Sequence, residues 1–502
     1  MMKRACSLLL LVLILSACQF GSNAKMTTDV PDPLAIPWED RAIFQPGLST
    51  SQQNVLDSLP GASIYHLDLI IAENLTQVEG RQQVRYTNQE DVDLEQVDFH
   101  LYPNILGGKL DVNAVSVDGV GVAPSFDLQN SVLIVPLHSP LKPGEHTIIQ
   151  IDFSVTVPTD LERNYGVLAY SDGVLALAHF YPAVAVFDQR GWAVEIPSEQ
   201  GDVTYADASL FVVRVTAPTK IVVVASGQEI QADKAGKQQV ILYAIGPARD
   251  FYLAASSDYE VVSKNVDGVM INSYAPAKMK AGAQYVLDIA AKALKVYGER
   301  YVPYPYSEFD IVSTPTLALG IEYPGMTAIA DRLYDLNGAI SGTPVRIYLE
   351  STVAHEVGHQ WFYNLVGSDQ LGEPWLDESL TQFVTLQYYS DSYGTSAATG
   401  FEQSLYERWA RVDDAKIPIG LPVSAYQGKE YGAIVYGRGG LFFEALEKQM
   451  GESAFEKFLL DYVQTYSWGI ATGDGMEKLA KDDCGCDTKT LWGEWVIPKV
   501  GK

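Results

Sequence analysis

Basic residues are scarce in this 502-residue chain, where 35 Lys and Arg stand against 62 Asp and Glu, a formal net charge of −27. Such a surface repels phosphate backbones and argues against nucleic acid as a partner. Histidine is rarer, with seven in all, and beyond His179 only His355 and His359 remain. Cysteine is limited to four residues. Processing of the N-terminus is expected to consume Cys6 and Cys18, which leaves Cys484-Gly485-Cys486 as a short-loop disulfide, a pair of free thiols or a second metal clip, the disulfide being favoured in an oxidising compartment. The apolar run Ala5 to Ala17 is too short to span a bilayer, and with Lys3 and Arg4 before it reads as a signal peptide. Internal repeats are missing. What is there is ordinary globular material, 47% hydrophobic and 19% charged, long enough for two or three domains.

The two late histidines belong to His355-Glu356-Val357-Gly358-His359. Residues four apart on a helix share a face, so both imidazoles reach one metal ion. Glu356 projects beside that face, placed to take a proton from a water that the metal activates. Catalytic zinc uses three protein ligands and keeps a fourth position open. Glu378, in Trp375-Leu376-Asp377-Glu378-Ser379 at the start of the next helical pattern, is the candidate third ligand. The first helix is expected over Val345 to Leu365, with Thr343 as N-cap, Pro344 in the first turn and Gly367 past the end.

Around this core the chain divides by texture. Residues 18–57 are rich in Pro, Ser, Asn, Gln and Asp without periodicity and are expected to form a flexible tether after the leader 1–17. Residues 58–256 read as an N-terminal β domain, a sandwich or saddle-shaped sheet. Short alternating or apolar runs such as His66 to Ile71, Gln83 to Tyr86 and Val132 to Val135 are separated by turns such as Lys142-Pro143-Gly144. Residues 257–502 mix a helix over Ala277 to Tyr297, strands at Phe309 to Val312 and around Glu322, and a helical end with apolar stripes at Leu441, Phe442, Ala445, Leu446 and at Phe455, Phe458, Leu459, Tyr462. The fold class is α+β with several domains.

His-Glu-x-x-His followed eighteen residues later by Glu378 resembles the gluzincin aminopeptidases of the M1 family. Three further segments carry the likeness in the same order and spacing. Tyr304-Pro305-Tyr306-Ser307-Glu308-Phe309-Asp310 looks like the family's strand entry, and Leu319-Gly320-Ile321-Glu322-Tyr323-Pro324 occupies the place of its Gly-x-Met-Glu-Asn strand. Tyr436-Gly437-Arg438-Gly439-Gly440-Leu441 resembles the Tyr-Glu-Lys-Gly-Ala segment with the catalytic tyrosine. These segments cover about residues 300–445, and a weaker likeness extends back to about residue 60.

The resemblance implies an N-terminal β domain closing one side of the site, a thermolysin-like catalytic domain, and one Zn2+ on His355, His359 and Glu378. It implies Glu356 as general base, Tyr436 as hydrogen-bond donor to the tetrahedral oxyanion, and Glu322 as the carboxylate that pairs with the free α-ammonium of a peptide substrate. Gly320 would allow close backbone approach, and Tyr431 would be a second active-site phenol. The chain departs from the pattern at Leu319, Ile321 and Tyr323, where the family has Gly, Met and Asn. The family's β domain also supplies a Gln to the amine, and Leu175 to Asp188 contains none, with His179 the nearby polar residue. The chain stops at Lys502, without the large helical C-terminal domain of many members, which is expected to leave the site more open. Leu15-Ser16-Ala17-Cys18 resembles a bacterial lipoprotein box, implying lipidation of Cys18 and an exported protein anchored at the cell surface or an envelope membrane. The expected activity is removal of N-terminal residues from peptides. The alternatives are a zinc endopeptidase of the same clan and a catalytically retired, peptide-binding surface lipoprotein. Epoxide hydrolysis would need pocket features that the sequence does not display.

Overall fold

The computed structural model describes residues 28–497, so the leader and Cys18 lie outside the described residues. Alternation builds the N-terminal half. Along His146–Thr156 every second side chain is buried, namely Thr147, Ile149, Ile151, Phe153 and Val155, the signature of a strand with one face on a core and one in water. This strand pairs antiparallel with Gln77–Thr87, which pairs in turn with Ile64–Ile71. All three lie in an eight-stranded sheet in which Ile64–Ile71 also runs parallel to Ser209–Pro218. Two four-stranded sheets accompany it. One of them contributes Val174, Ala176 and Ala254 to a hydrophobic cluster shared with Tyr323, Met326 and Ala328 of the C-terminal half.

The expected tether is shorter than the sequence suggests. Val30, Phe44, Leu48 and Leu56 are buried in the main core. The Ser49 amide donates to the carbonyl of Pro305, and Leu48 bridges to Tyr306. Polar composition hid four well-spaced apolar anchors, which dock residues 28–57 across both halves of the chain.

The C-terminal half starts from a five-stranded sheet ordered Tyr259–Val266, Val269–Pro276, Glu308–Thr314, Met326–Ala330, Gly320–Tyr323. Helix α1, Lys280–Arg300, makes the crossover between two parallel strands of this sheet. Gly320–Tyr323 is the edge strand, antiparallel to Met326–Ala330. Helices α2, Val345–Gly358, and α3, Glu378–Tyr393, are buried along most of their length. They cross so closely that a Cβ on Gly358 would lie 2.9 Å from Cγ2 of Thr381. The Tyr297 hydroxyl donates to the carbonyl of Ala354 at 2.9 Å and ties α1 to α2. Helices α4, Thr395–Trp409, α5, Gly439–Met450, and α6, Glu452–Tyr466, pack behind, followed by two more.

Helix α2 differs from expectation at both ends. Its N-cap position is Pro344, extended and without a side-chain cap, while Thr343 sits in a short strand. It stops at Gly358 instead of running to Leu365. Beyond His359 the amides of Asn364, Leu365 and Val366 reach five residues back, a wider turn than the α-helix allows. Buried Arg249 of the β half holds this turn, donating to the carbonyls of Tyr363, Asn364 and Gly469 at 2.9, 3.1 and 2.5 Å.

Candidate active site

Two helix ends and one strand edge build the site. His355 lies in the last turn of α2, and His359, its C-cap, keeps helical dihedrals of φ −63 and ψ −12. The fourfold spacing therefore holds, and the two rings stand 4.6 Å apart at 86°. Glu378 opens α3 after a tight turn over Pro374–Leu376. Nε2 of His355 lies 3.1 Å from Nε2 of His359 and 3.1 Å from Oε2 of Glu378, while His359 Nε2 to Glu378 Oε2 is 3.6 Å. Tetrahedral coordination with bonds of about 2.05 Å needs donor atoms about 3.3 Å apart. The three atoms bracket that spacing, so the residues present fit a zinc ion.

Their surroundings agree. Nδ1 of His359 faces Oδ1 of Asp377 at 2.6 Å, which leaves Nε2 with its lone pair toward the metal position. The carboxamide of Gln382 lies 3.3 Å from Nδ1 of His355. Burial lowers His355 to about 4, so this imidazole is a neutral donor at physiological pH. Burial opposes ionisation of Glu378, but the hydrogen bond from His355 and the charge of His359 hold it at about 2. His359 is shifted up despite burial, because Asp377, Glu322 and Glu378 surround it. Asp202, Glu322, Glu356, Asp377 and Glu378 crowd together here, and burial with mutual repulsion pushes every one of them but Glu378 up, a strain that a divalent cation relieves.

Glu356 is buried beside this cluster, and burial, followed by the charges of Glu322, Glu378 and Asp377 against that of His359, pushes its carboxyl up. Its position depends on Gly320, whose added Cβ would lie 2.5 Å from Glu356 Oε1. The sequence assigned Gly320 to close backbone approach; in the structure the Glu356 carboxylate lies against it. Glu322, two residues along the edge strand, offers a carboxylate oxygen within 4.8 Å of donor atoms of Glu356 and His359. Burial raises it to about 7. Gln370 steadies it, donating to Glu322 Oε1 at 3.1 Å and to Asp377 Oδ2, while its own oxygen accepts the Thr204 amide at 3.1 Å.

Strand alternation settles where the departures from the family pattern point. Gly320 and Glu322 face the metal position, while Tyr323 lies on the other face, stacked on Tyr252 at 3.8 Å and 6°, and Ile321 packs against the same cluster. Tyr323 is therefore a domain-packing residue. The Tyr436 hydroxyl donates to Oε1 of Glu378. Tyr431 packs edge-on against Tyr436, with centroids 5.6 Å apart. Five residues of regular α-helix would turn these rings about 140° away from each other, but a π-turn over Ile434–Arg438 absorbs the extra residue and both line the cleft.

That cleft is a cavity of ≈ 750 Å³. It also contains residues that sequence reasoning missed. Gln200 and Asp202 enter from an irregular loop of the β half, passing over Tyr431 at Gly201, where φ is +79. A glutamine of the β half thus lines the cleft from outside the window Leu175 to Asp188, whose strand Val174–Leu177 is buried in a sheet. No periodicity marks the loop in the sequence. Gln370, Asp377 and Arg408 were likewise unmarked. His179 lies outside the cleft lining, with Nδ1 3.1 Å from Asp250 Oδ2 and its ring against Tyr102. Cys484 and Cys486 are joined in a disulfide.

Comparison with known proteins follows this geometry. A family model described as Peptidase family M1 domain matches residues 285–495. Aminopeptidase M1-A of Oryza sativa subsp. japonica is 23% identical over 389 residues, 73% of this chain and 42% of that protein. Endoplasmic reticulum aminopeptidase 1 of Homo sapiens is 26% identical over 219 residues, 42% of this chain and 23% of that protein. The chain thus spans less than half the length of these curated relatives. The M1 zinc metallopeptidase from Deinococcus radiodurans has a similar fold, with a TM-score of 0.65 at 19% identity, covering 92% of this chain and 96% of that one. The same fold is found in the form bound to a Tyr-Ser-Ala substrate, with a TM-score of 0.64 at 20% identity over 92% and 97% of the two chains. The segment that holds the histidine-bearing and glutamate-bearing helices is thus similar to the Peptidase family M1 domain, and the fold as a whole to that of an M1 zinc metallopeptidase.

Proposed function

We propose that the protein is a zinc-dependent aminopeptidase that hydrolyses the first peptide bond of substrates with a free N-terminus. His355, His359 and Glu378 would hold the ion. When bound, zinc lowers the pKa of a water toward about 7 and polarises the scissile carbonyl. Glu356 removes the proton from the attacking water and returns it to the leaving amine. Tyr436 swings its hydroxyl from Glu378 to the developing oxyanion, an interaction whose loss typically costs about 10² to 10³ in rate. Glu322 receives the α-ammonium, and the free edge of Gly320–Tyr323 lets the peptide add as a further strand.

One observation carries the reading: a buried carboxylate on an edge strand stands one residue's reach from the metal position, held by Gln370. An acid there selects an N-terminal amine over an internal segment. The names of the relatives, aminopeptidases in rice and human, support the same activity. The test compares free and N-acetylated peptides. Glu356→Gln should keep zinc and fold yet lose nearly all turnover. Glu322→Ala should abolish the preference for a free amine. Efficient cleavage of N-acetylated substrates by the parent protein would favour an endopeptidase instead. We further propose lipid anchoring at Cys18 on an envelope membrane, supported by Lys3, Arg4 and Leu15-Ser16-Ala17-Cys18. Metabolic palmitate labelling that persists in Cys18→Ser would reject it.

A further inference from the structure

The cleft is electrically polarised along α2. On the His359 side stand Asp377, 2.6 Å from its Nδ1, and Glu322, with a carboxylate oxygen within 4.8 Å of its ring nitrogen. On the His355 side stands the Tyr436 ring, 6.1 Å from that imidazole between centroids, with Arg408 over it. Arg408 comes from the last turn of α4. The π-turn carries Gly437 there, where a Cβ would lie 3.0 Å from Cβ of Arg408 and 2.9 Å from the Trp409 nitrogen. This close packing lays the guanidinium along the Tyr436 ring, 5.9 Å from its centroid. Arg411 and Lys429, both exposed, continue the basic lining toward the mouth. Among the described residues none of these three cations is in an ion pair. In a chain with nearly twice as many acids as bases, three unpaired cations in one cleft are a functional signal.

A peptide whose amine sits at Glu322 and whose first carbonyl faces the metal position continues toward Arg408. An extended chain advances about 3.3 Å per residue, so a group one or two residues past the scissile bond falls within the basic lining. We propose that Arg408, assisted by Arg411 and Lys429, binds a carboxylate of the substrate on the leaving side, which makes short peptides with a free C-terminus, or an acidic residue just after the scissile bond, the preferred substrate class. This inference rests on the aminopeptidase reading. It concerns the opposite end of the substrate from Glu322, and its failure has a different appearance.

The experiment measures kcat/KM of the zinc-loaded protein for Ala-Ala-Ala, Ala-Ala-Ala amide and Ala-Asp-Ala amide. The expected result is about a tenfold to hundredfold advantage for a carboxylate-bearing peptide over Ala-Ala-Ala amide, the range of a charge-assisted hydrogen bond in a partly shielded site. The advantage should reside mainly in KM and weaken with salt. An advantage for the free acid assigns the site to a C-terminus, and one for the Asp peptide assigns it to a side chain. Arg408→Met should bring the ratio close to one, and Arg408→Lys should retain part of it. The surface pair Arg411→Gln with Lys429→Gln, which perturbs no core packing, should reduce the ratio severalfold. Equal rates for all three peptides in the parent protein would overturn the inference while leaving the aminopeptidase reading intact. A ratio unchanged in Arg408→Met would overturn the assignment to Arg408. Turnover of none of the peptides would overturn the aminopeptidase reading, and the inference with it.

Discussion

Gly320→Ala isolates the placement of Glu356, the proposed general base. The new Cβ would stand 2.5 Å from Glu356 Oε1, 2.6 Å from Cγ and 2.7 Å from Cδ. Ordinary contact begins at 3.4 Å, so the carboxylate has to withdraw by 3.4 − 2.5 = 0.9 Å. The backbone at 320 is a strand conformation outside the left-handed region, which alanine adopts without strain. The damage should therefore fall on Glu356 rather than on the fold. A displacement near 1 Å in a positioned catalytic group costs about 10² in rate, equivalent to about 2.7 kcal/mol in the barrier. The assay is steady-state hydrolysis of alanine p-nitroanilide, with zinc content by mass spectrometry and a thermal midpoint on the same preparation. The expected outcome is a kcat lower by about a hundredfold with zinc content and midpoint close to the parent. A kcat within about threefold of the parent, with metal and fold intact, would refute the contact between Gly320 and Glu356 as the determinant of the base position.

Other perturbations probe the scaffold. Asp377→Asn weakens the partner that orients His359, and zinc affinity measured by chelator competition should fall about 10- to 100-fold; an unchanged affinity contradicts the pairing at 2.6 Å. Gly439→Ala places a Cβ 1.9 Å from Oγ of Ser379, beside Glu378, where α5 crosses α3. Overpacking of about 1–3 kcal/mol outweighs the helix-propensity gain of about 1 kcal/mol, so the thermal midpoint should drop, and a rise would reject the tight crossing. Burial, and then Glu402, raises Glu444 to about 7 from an ordinary 4.5, with Lys448 opposing and Glu447 adding to the shift. The folded state then holds a proton that the unfolded chain releases, so this group's contribution is present below pH 4.5 and is lost as pH rises through about 7. Glu444→Gln should therefore gain stability relative to the parent between pH 5 and 8, and a flat difference across that range would contradict the burial of Glu444.

Legibility in the sequence followed the range of the forces involved. The two histidines of the candidate metal site were readable because fourfold spacing on a helix is a local rule, and Glu378 because a second helical pattern begins there. Period-two runs marked the strands of the β half for the same reason, as did the edge strand with Glu322. Long-range packing decided the rest. It ended α2 at Gly358, where Arg249 from the β half claims the carbonyls of the following turn. It drew residues 28–57 onto the body through Val30, Phe44 and Leu48, anchors too widely spaced to register as a pattern.

From the order of its residues alone, the chain determined which atoms can grip a metal and which carboxylate stands beside them, because a helix converts spacing into direction without help from elsewhere. Only the tertiary structure decided that Tyr323 turns into the domain core, that Gln200 and Asp202 arrive from a loop, and that Arg408 lines the cleft. Those positions arise where segments distant in sequence meet, and contacts of that kind leave no period for a linear reading to detect.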